Sequence, residues 1–430
     1  TRVNPKKFKL MTIWIVTIGE PIINNRKKLR LHRHGLLAEY ISKKSENKVI
    51  WWTSKFNHFT KEFEMINDEE YYPNKNLTVK LLRGTGYKKN VSISRIIDHL
   101  KIKKSFSKKI YSQNKKPDII IASFPTLGLC QESVKFGDIN KIPVIIDYRD
   151  LWPEAFSDLF PSKINFIGKM LLSPLYFSTN KMLKNATGII GITESFLNIA
   201  LRKINREKNK FDAYFPHTYN KLNISHEKIN DSLTFWKKLG INPNSNFVNI
   251  CFFGTLGYQF DLETVIKGFS HLQNPNIRLI ICGSGHKKAS LEKLAKNNPN
   301  IIFPGYINAI QIKSLLTISH IGLCPYLPKK MFLEAIPGKV IEYMSEGLEL
   351  ITTLGNGVVG NMVEDKNFGL NYNAFDSDSF SRKISELYTK IKSNGNQKSK
   401  IIDYYNKNFD QETVLKNYLT HVKKVVKDYV

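Results

Sequence analysis

Cysteine is scarce in this 430-residue chain: only Cys130, Cys251, Cys282 and Cys324, each alone in or beside an apolar run. No pair has the spacing of a zinc site or a disulfide framework, so the thiols read as small core residues of a protein kept in a reducing compartment. Long hydrophobic runs are missing as well. None reaches the roughly 18 to 20 residues needed to cross a bilayer, which points to a cytoplasmic chain, free or peripheral on the inner face of the membrane. The segment KKFKLMTIWIVTIGEP (6–21) starts like a signal peptide, yet its apolar part ends in Gly19-Glu20-Pro21 with no small-residue cleavage pattern. Met11 is read as the natural start, with residues 1–10 an extension.

Acidic residues are in short supply: 37 Asp and Glu stand against 65 Lys and Arg, a net charge of +28. The imbalance is uneven. Residues 1–215 hold 39 basic and 19 acidic side chains (+20), and the remainder holds 26 and 18 (+8). An excess of this kind suits an anionic partner such as phospholipid head groups, a phosphorylated substrate or nucleic acid; it also suits a chain that is merely rich in lysine and asparagine. No basic stretch is interleaved with aromatics in the manner of a nucleic-acid reader, so no nucleic-acid partner is expected.

Internal repeats and extended low-complexity tracts are also lacking. What remains is an alternation of short β-branched runs with longer helical patterns, the mark of βαβ units on parallel sheets. In the first half the runs are TIWIVTI (12–18), KVIWWTS (48–54), LTVKLL (77–82), DIIIASF (118–124), PVIIDYR (143–149) and TGIIGIT (187–193). The alternation restarts with VNICFFG (248–254), IRLIICG (277–283), NIIFPG (300–305), IGLCPY (321–326) and LELITT (348–353). The length exceeds what one core usually supports, so two doubly wound α/β domains are expected: 11–215, a linker at 216–228, and 229–405. A final helix, 406–430, capped by Asp410, carries an apolar stripe (Val414, Leu415, Tyr418, Leu419, Val422, Val425) that is free to pack back on the first domain. Two such domains leave a cleft at the carboxyl ends of their strands, where ligands usually bind.

The stretch FLEAIPGKVIEYMSEG (332–347) sets Glu334 and Glu342 eight positions apart, with a Pro-Gly break and Lys339 between them. Pro337 disfavours a helical Ile336, so a helix is expected from Gly338, with Glu334 in the loop ahead of it. The amino end of a helix attracts anions, and Lys339 adds a full charge there. A diphosphate at that end would bring its sugar near Glu334 and its ribose near Glu342, since carboxylates accept hydrogen bonds from neighbouring hydroxyls.

These residues, together with FFGTLG (252–257) and ICGSG (281–285), resemble the donor-binding domain of retaining glycosyltransferases of family 4, with the GT-B fold. TIGEP (17–21), HRHGLLAEYI (32–41), VIWWTSKFNHFTK (49–61), GYKKNVSISRIIDH (86–99) and VIIDYRDLWPE (144–154) resemble a bacterial subgroup that builds O-antigen or capsule, fucosaminyltransferase-like members included. The resemblance implies transfer of a sugar from a UDP- or GDP-sugar to a glycan or lipid-linked acceptor, with no metal and no cofactor. It places Glu334 at the donor sugar, Glu342 at the ribose and Lys339 at the diphosphate. Gly254 and Gly257 would let backbone amides approach phosphate, Gly283 and the loop after Gly305 would border the base, and Gly19 would leave room for the donor. Arg149 and Asp150 occupy the place where many relatives carry His-Asp. Arg33, His58 and Trp152 fall on the acceptor side, near His32, His34 and Lys61.

The sequence departs from the pattern where Tyr258, Gln259 and Phe260 replace the arginine and lysine that many relatives set after the glycine turn. Diphosphate binding then leans on Lys339, amides and Arg149, whose guanidinium has a structural alternative in a pair with Asp147 or Asp150. Asp376-Ser377-Asp378 mimics a metal motif but reads as a helix cap. Basic runs at 26–33 and 101–116 suit anionic lipid, while 166–183 reads as a buried helix. The rival functions are a GT-B sugar-nucleotide epimerase and a basic nucleic-acid-binding protein.

Overall fold

The computed structural model describes residues 10–23, 31–64, 66, 69–90, 92–154, 165–219, 221, 224–394 and 397–429. Residues 1–9 and 26–30, the expected extension and most of the first basic run, lie outside these. The chain forms two compact units, one running to Phe215 and taking back Leu415–Val430, the other spanning Pro216–Val414.

The first unit is built on β1 (Thr12–Val16), β2 (Lys48–Ser54), β3 (Glu70–Asn74), β4 (Leu77–Leu82), β5 (Ile119–Phe124), β6 (Val144–Tyr148), β7 (Gly188–Gly191) and β8 (Ala213–Tyr214). Their order in the sheet is β3-β4-β2-β1-β5-β6-β7-β8, parallel except for β3. Apolar β-branched runs give strands buried on both faces, as parallel sheets require; Trp14, Trp51 and Trp52 are wholly inside. The edge strands β3 and β8 escape the sequence reading because EYYPN holds a proline and AY is two residues long. Helix Gln411–Asp428 lays Leu415, Tyr418, Leu419, Val422 and Val425 into this unit's core, and the Asp410 carboxylate accepts from the Thr413 amide at 3.0 Å.

In the second unit β9 (Val248–Phe253), β10 (Ile277–Cys282), β11 (Ile301–Gly305), β12 (Ile321–Cys324), β13 (Glu349–Thr352) and β14 (Gly369–Asn371) form a parallel sheet ordered β11-β10-β9-β12-β13-β14. Residues 216–228, expected as a linker, belong to this unit: Tyr219 is in its core and a helix begins at His226. The unit also extends past the expected end at 405, because Tyr405 and Phe409 are core residues and the hydroxyl of Tyr405 donates to the Tyr219 carbonyl at 2.7 Å. All four cysteines are free and buried.

Residues 166–183 depart from the reading. They form two helices, Asn165–Leu171 and Ser173–Asn185, on which Phe166, Met170, Leu171 and Phe177 are exposed. Among the described residues no helix is long and apolar enough to cross a membrane.

Helix Gln411–Asp428 is the last element of the chain yet fills the core of the first unit. Val422→Ala, at a fully buried position, should cost about 2 kcal/mol for two lost methyl groups and the cavity they leave. Hydrogen exchange should speed up in β1 and β2 and stay unchanged in β9 and β10; the reverse pattern would remove the helix from the first unit.

Candidate functional site

In each sheet the chain winds outward in one direction and then restarts on the other side of its first strand, so the switch points fall between β1 and β5 and between β9 and β12. Loops at the carboxyl ends of such strands are where a doubly wound sheet opens a crevice.

At the switch point of the second unit two loops are stitched together. The Asp261 amide donates to the Pro325 carbonyl at 2.8 Å, the Leu327 amide to Gln259 at 3.0 Å, and Phe260 bridges Tyr326. The chain then makes a short helix, Lys330–Leu333, ended by Glu334, and restarts at Pro337 as helix Gly338–Ser345. The proline thus separates Glu334 from Glu342, as the sequence indicates. The N-cap residue of the second helix is Pro337, whose side chain offers its leading amides no acceptor. Glu342 is buried in that helix.

Lys339 is partly buried in the first turn of the same helix and reaches back over the glycine turn after β9. Among the described residues its ammonium has no carboxylate within salt-bridge distance; it lies 5.4 Å from the Phe252 ring centre and 5.0 Å from that of Phe260. Burial lowers its pKa from the usual lysine value, against the pull of Glu342. The cation is therefore held, desolvated and not neutralised, at an end of a helix that already favours anions.

The glycines act differently from the amide cradle expected of them. The Gly254 amide is already spent on the Cys282 carbonyl at 3.0 Å, and what the residue provides is room: a Cβ there would sit 2.6 Å from the Lys339 Nζ. Gly283 likewise donates to the Gly305 carbonyl, and its own Cβ would fall 1.8 Å from the Gly254 carbonyl oxygen, so it lets two strand-end turns stack. Gly257 is buried in the loop, where a Cβ would meet the Gln259 side chain at 2.4 Å, and Gly305 has open space around it. Phe260, where the resemblance implies a cation, forms part of the apolar floor under Lys339.

The corresponding end of the first unit is a closed charge network. Glu20, after β1, accepts from the His34 and Gly35 amides at 3.0 and 3.2 Å, and so caps helix Arg33–Lys44, whose own N-cap residue offers no side-chain bond. The His34 ring lies 2.9 Å from Glu20 and 3.2 Å from Asp147. Arg33 donates to Asp147 and to the Phe215 carbonyl, both at 2.8 Å, and the Tyr418 hydroxyl donates to Asp147 at 3.1 Å. Arg149 closes the chain on Glu20 at 2.6 Å. Burial alone would raise both carboxyls and lower the imidazole, but mutual attraction wins: Glu20 and Asp147 are held far below the usual carboxylate range, and His34 is held above the usual histidine value.

Three first-unit expectations are corrected by this network. Arg33, expected on the acceptor side, is buried in it, as is His34. Arg149 pairs with Glu20, which sequence reasoning missed, and with neither Asp147 nor Asp150. The signal for Glu20 was the TIGEP turn, whose glycine has φ +79°, but nothing in one sequence reveals a pairing across 129 positions. Asp150 is mostly buried, with burial raising its pKa and one carboxylate oxygen unbonded. His58 and Trp152 lie nearer the surface, partly exposed. Asp376 caps helix Ser377–Asn394 through the Ser379 amide at 2.8 Å, as expected.

Residues 234–407 match the family model described as glycosyl transferases group 1, less than half of the chain. No curated protein matches. Sucrose-phosphate synthase from Thermosynechococcus elongatus superposes with a TM-score of 0.69 at 13% identity, over 97% of this chain and 99% of that one. A glycosyltransferase from Rickettsia africae gives 0.65 at 13% identity, covering 98% and 100%. The Anabaena protein HepE, solved in complex with UDP, gives 0.64 at 12% identity, covering 96% and 100%. At such identities the likeness is one of fold: the two α/β units make the GT-B fold. Together with the matched domain they support a glycosyltransferase.

The buried imidazolium has a consequence for pH. A raised histidine pKa contributes stability that is full below about pH 6.5 and lost as pH rises through the folded value, while the depressed carboxylates contribute theirs at all pH above about 4. Denaturation of the wild type should therefore become easier as pH rises from about 6.5 through the raised value of His34. His34→Gln should be less stable at pH 6 and flat over that range; a slope equal to the wild type's would show that His34 is not charged in the fold.

Proposed function

We propose that this chain is a retaining glycosyltransferase that moves a sugar from a UDP- or GDP-sugar to a glycan or lipid-linked acceptor in the building of a bacterial surface polysaccharide. The observation that carries the reading is the unneutralised ammonium of Lys339 at the leading end of helix Gly338–Ser345, beside the Gly254 turn. A diphosphate supplies the two negative charges that this end of the second sheet lacks.

In this reading Lys339 and the first amides of the helix stabilise the departing diphosphate, in the role that a divalent ion fills elsewhere. Glu342 grips the ribose, and Glu334 faces the transferred sugar. Gly257 and Gly305 leave the loops after β9 and β11 open for the phosphates and the base, and Gly283 keeps those loops packed. The acceptor hydroxyl attacks from the face the diphosphate leaves, giving up its proton to a departing phosphate oxygen, so configuration is retained. The first unit offers Asp150, His58 and Trp152 to the acceptor, with Gly19 leaving the end of β1 clear. The solved HepE complexes with UDP and with UDP-glucose lend support to a nucleotide-sugar donor for this chain. The excess of basic residues before residue 216 fits work at the inner face of an anionic membrane.

Ligand binding raises thermal stability by mass action, so a panel of UDP- and GDP-sugars should single out the donor by its shift in Tm. Glu334→Ala should cut transfer by about 10²-fold or more while still binding the nucleotide. Lys339→Ala should weaken donor binding about 10- to 100-fold, the loss of a charged hydrogen bond. Wild-type affinity and turnover in both variants would remove the site assignment. Steady turnover of the sugar nucleotide without an acceptor, giving an isomerised sugar, would replace transfer by epimerisation.

A further inference from the structure

Helix Ile93–Tyr111 turns Asp98, Ile102, Phe106 and Ile110 inward, four residues apart along one face. On the opposite side Ile93, Ile96, Ile97 and Leu100 are 76, 61, 45 and 61% exposed. Their spacing, i, i+3, i+4 and i+7, makes a second apolar stripe where a surface helix ordinarily carries charge. Lys101 and Lys104 stand exposed beside it.

The first turn of the same helix brings Arg95 to Tyr87, Lys61 and Trp152. Arg95 lies 5.5 Å from the Tyr87 ring centre and 5.7 Å from that of Trp152, and the Lys61 ammonium lies 4.9 Å from the Tyr87 ring centre. Among the described residues the hydrogen bonds of these two cations end on neutral oxygens: Lys61 donates to the His58 carbonyl and the Asn90 side chain, both at 2.5 Å, and Arg95 to the Asn90 carbonyl at 2.8 Å. The Arg95 Nε is buried with no partner. Burial and then the neighbouring cations push His58 down to about 4, so the imidazole is neutral at pH 7 and bonds the Tyr87 hydroxyl at 2.5 Å. Burial and then Arg95 lower Lys61 as well. Arg95 also acts on Asp150, whose pKa burial raises, and Asp98 acts with Arg95 on the Tyr87 hydroxyl.

Two like charges therefore share one aromatic ring, with no bonded counter-ion among the described residues, at the foot of an apolar ridge. We propose that this corner of the first unit binds the phosphate of an anionic lipid, Lys61 and Arg95 taking the phosphate oxygens while Ile93, Ile96, Ile97 and Leu100 lie in the acyl layer. A free phosphate would leave the ridge unexplained, and an uncharged apolar partner would leave the cations so. The inference deepens the acceptor side of the function proposed above and rests on that reading only for calling this side the acceptor's.

Co-sedimentation with vesicles of phosphatidylcholine, with and without phosphatidylglycerol, tests it without donor or turnover. The wild type should sediment with the phosphatidylglycerol vesicles and remain free with phosphatidylcholine alone, and soluble glycerol phosphate should not displace it. Lys61→Ala with Arg95→Ala, and separately Ile96→Ser with Ile97→Ser, should each weaken vesicle binding by about tenfold or more. Retention of the nucleotide-sugar Tm shift in these variants checks their folding; a wild type that binds vesicles but no nucleotide sugar would sink the donor reading and leave this one standing. Absence of vesicle binding, displacement by glycerol phosphate, or binding lost in Phe177→Ser but kept in the ridge variant would overturn the proposal. So would a wild-type dimer that the ridge variant splits, since a second copy would then be the occupant.

Discussion

A lysine ammonium drawn out of water and given no carboxylate is the constraint on which the second unit's site depends. Withdrawing charge from water is costly unless something repays it, and among the described residues Lys339 is met by two aromatic rings and the pull of Glu342 in the same helix. The local fold serves that placement. Gly254 has no Cβ because the ammonium occupies its space, Gly283 has none because the Gly254 carbonyl does, and Pro337 starts the helix that aims Lys339 at the switch point. Removing any one of these would move the charge or expose it.

The first unit solves the opposite problem. Glu20, His34, Asp147 and Arg33 are buried together with Arg149 at their partly exposed edge, and the ion pairs, the Tyr418 hydroxyl and the Phe215 carbonyl tie them into one network. Opposite charges attract strongly out of water. Their effect here is to join β1, β6, helix Arg33–Lys44 and the chain's last helix at one point. Cations are paired with carboxylates where the first unit needs rigidity, and among the described residues Lys339, Lys61 and Arg95 have no carboxylate within ion-pair distance.

Sequence patterning exposed much of this. Parallel strands buried on both faces are nearly pure β-branched and aromatic runs, so eleven strand positions could be read directly, and the Pro-Gly break announced where helix Gly338–Ser345 begins. Two-residue and proline-bearing edge strands carry no such pattern. The roles of glycines were less legible. A glycine signals a need for space or for positive φ, but not whether a ligand or a lysine fills that space, and Gly254 turned out to serve the latter. Pairings such as Arg149 with Glu20 arise from the sheet order, which sets β1 and β6 on either side of β5, and no local pattern encodes them. The outward stripe on helix Ile93–Tyr111 was in the sequence as well, hidden because an apolar residue at helical spacing is normally taken to face a core.

The account stands or falls on what meets the Lys339 ammonium. A crystal structure of the chain with a nucleoside diphosphate measures this directly. The account calls for a phosphate oxygen about 2.7 to 3.2 Å from Lys339 Nζ, with the first amides of helix Gly338–Ser345 turned toward the same group. A nucleotide seated elsewhere on the second unit, with Lys339 still resting against Phe252 and Phe260 alone, would contradict it.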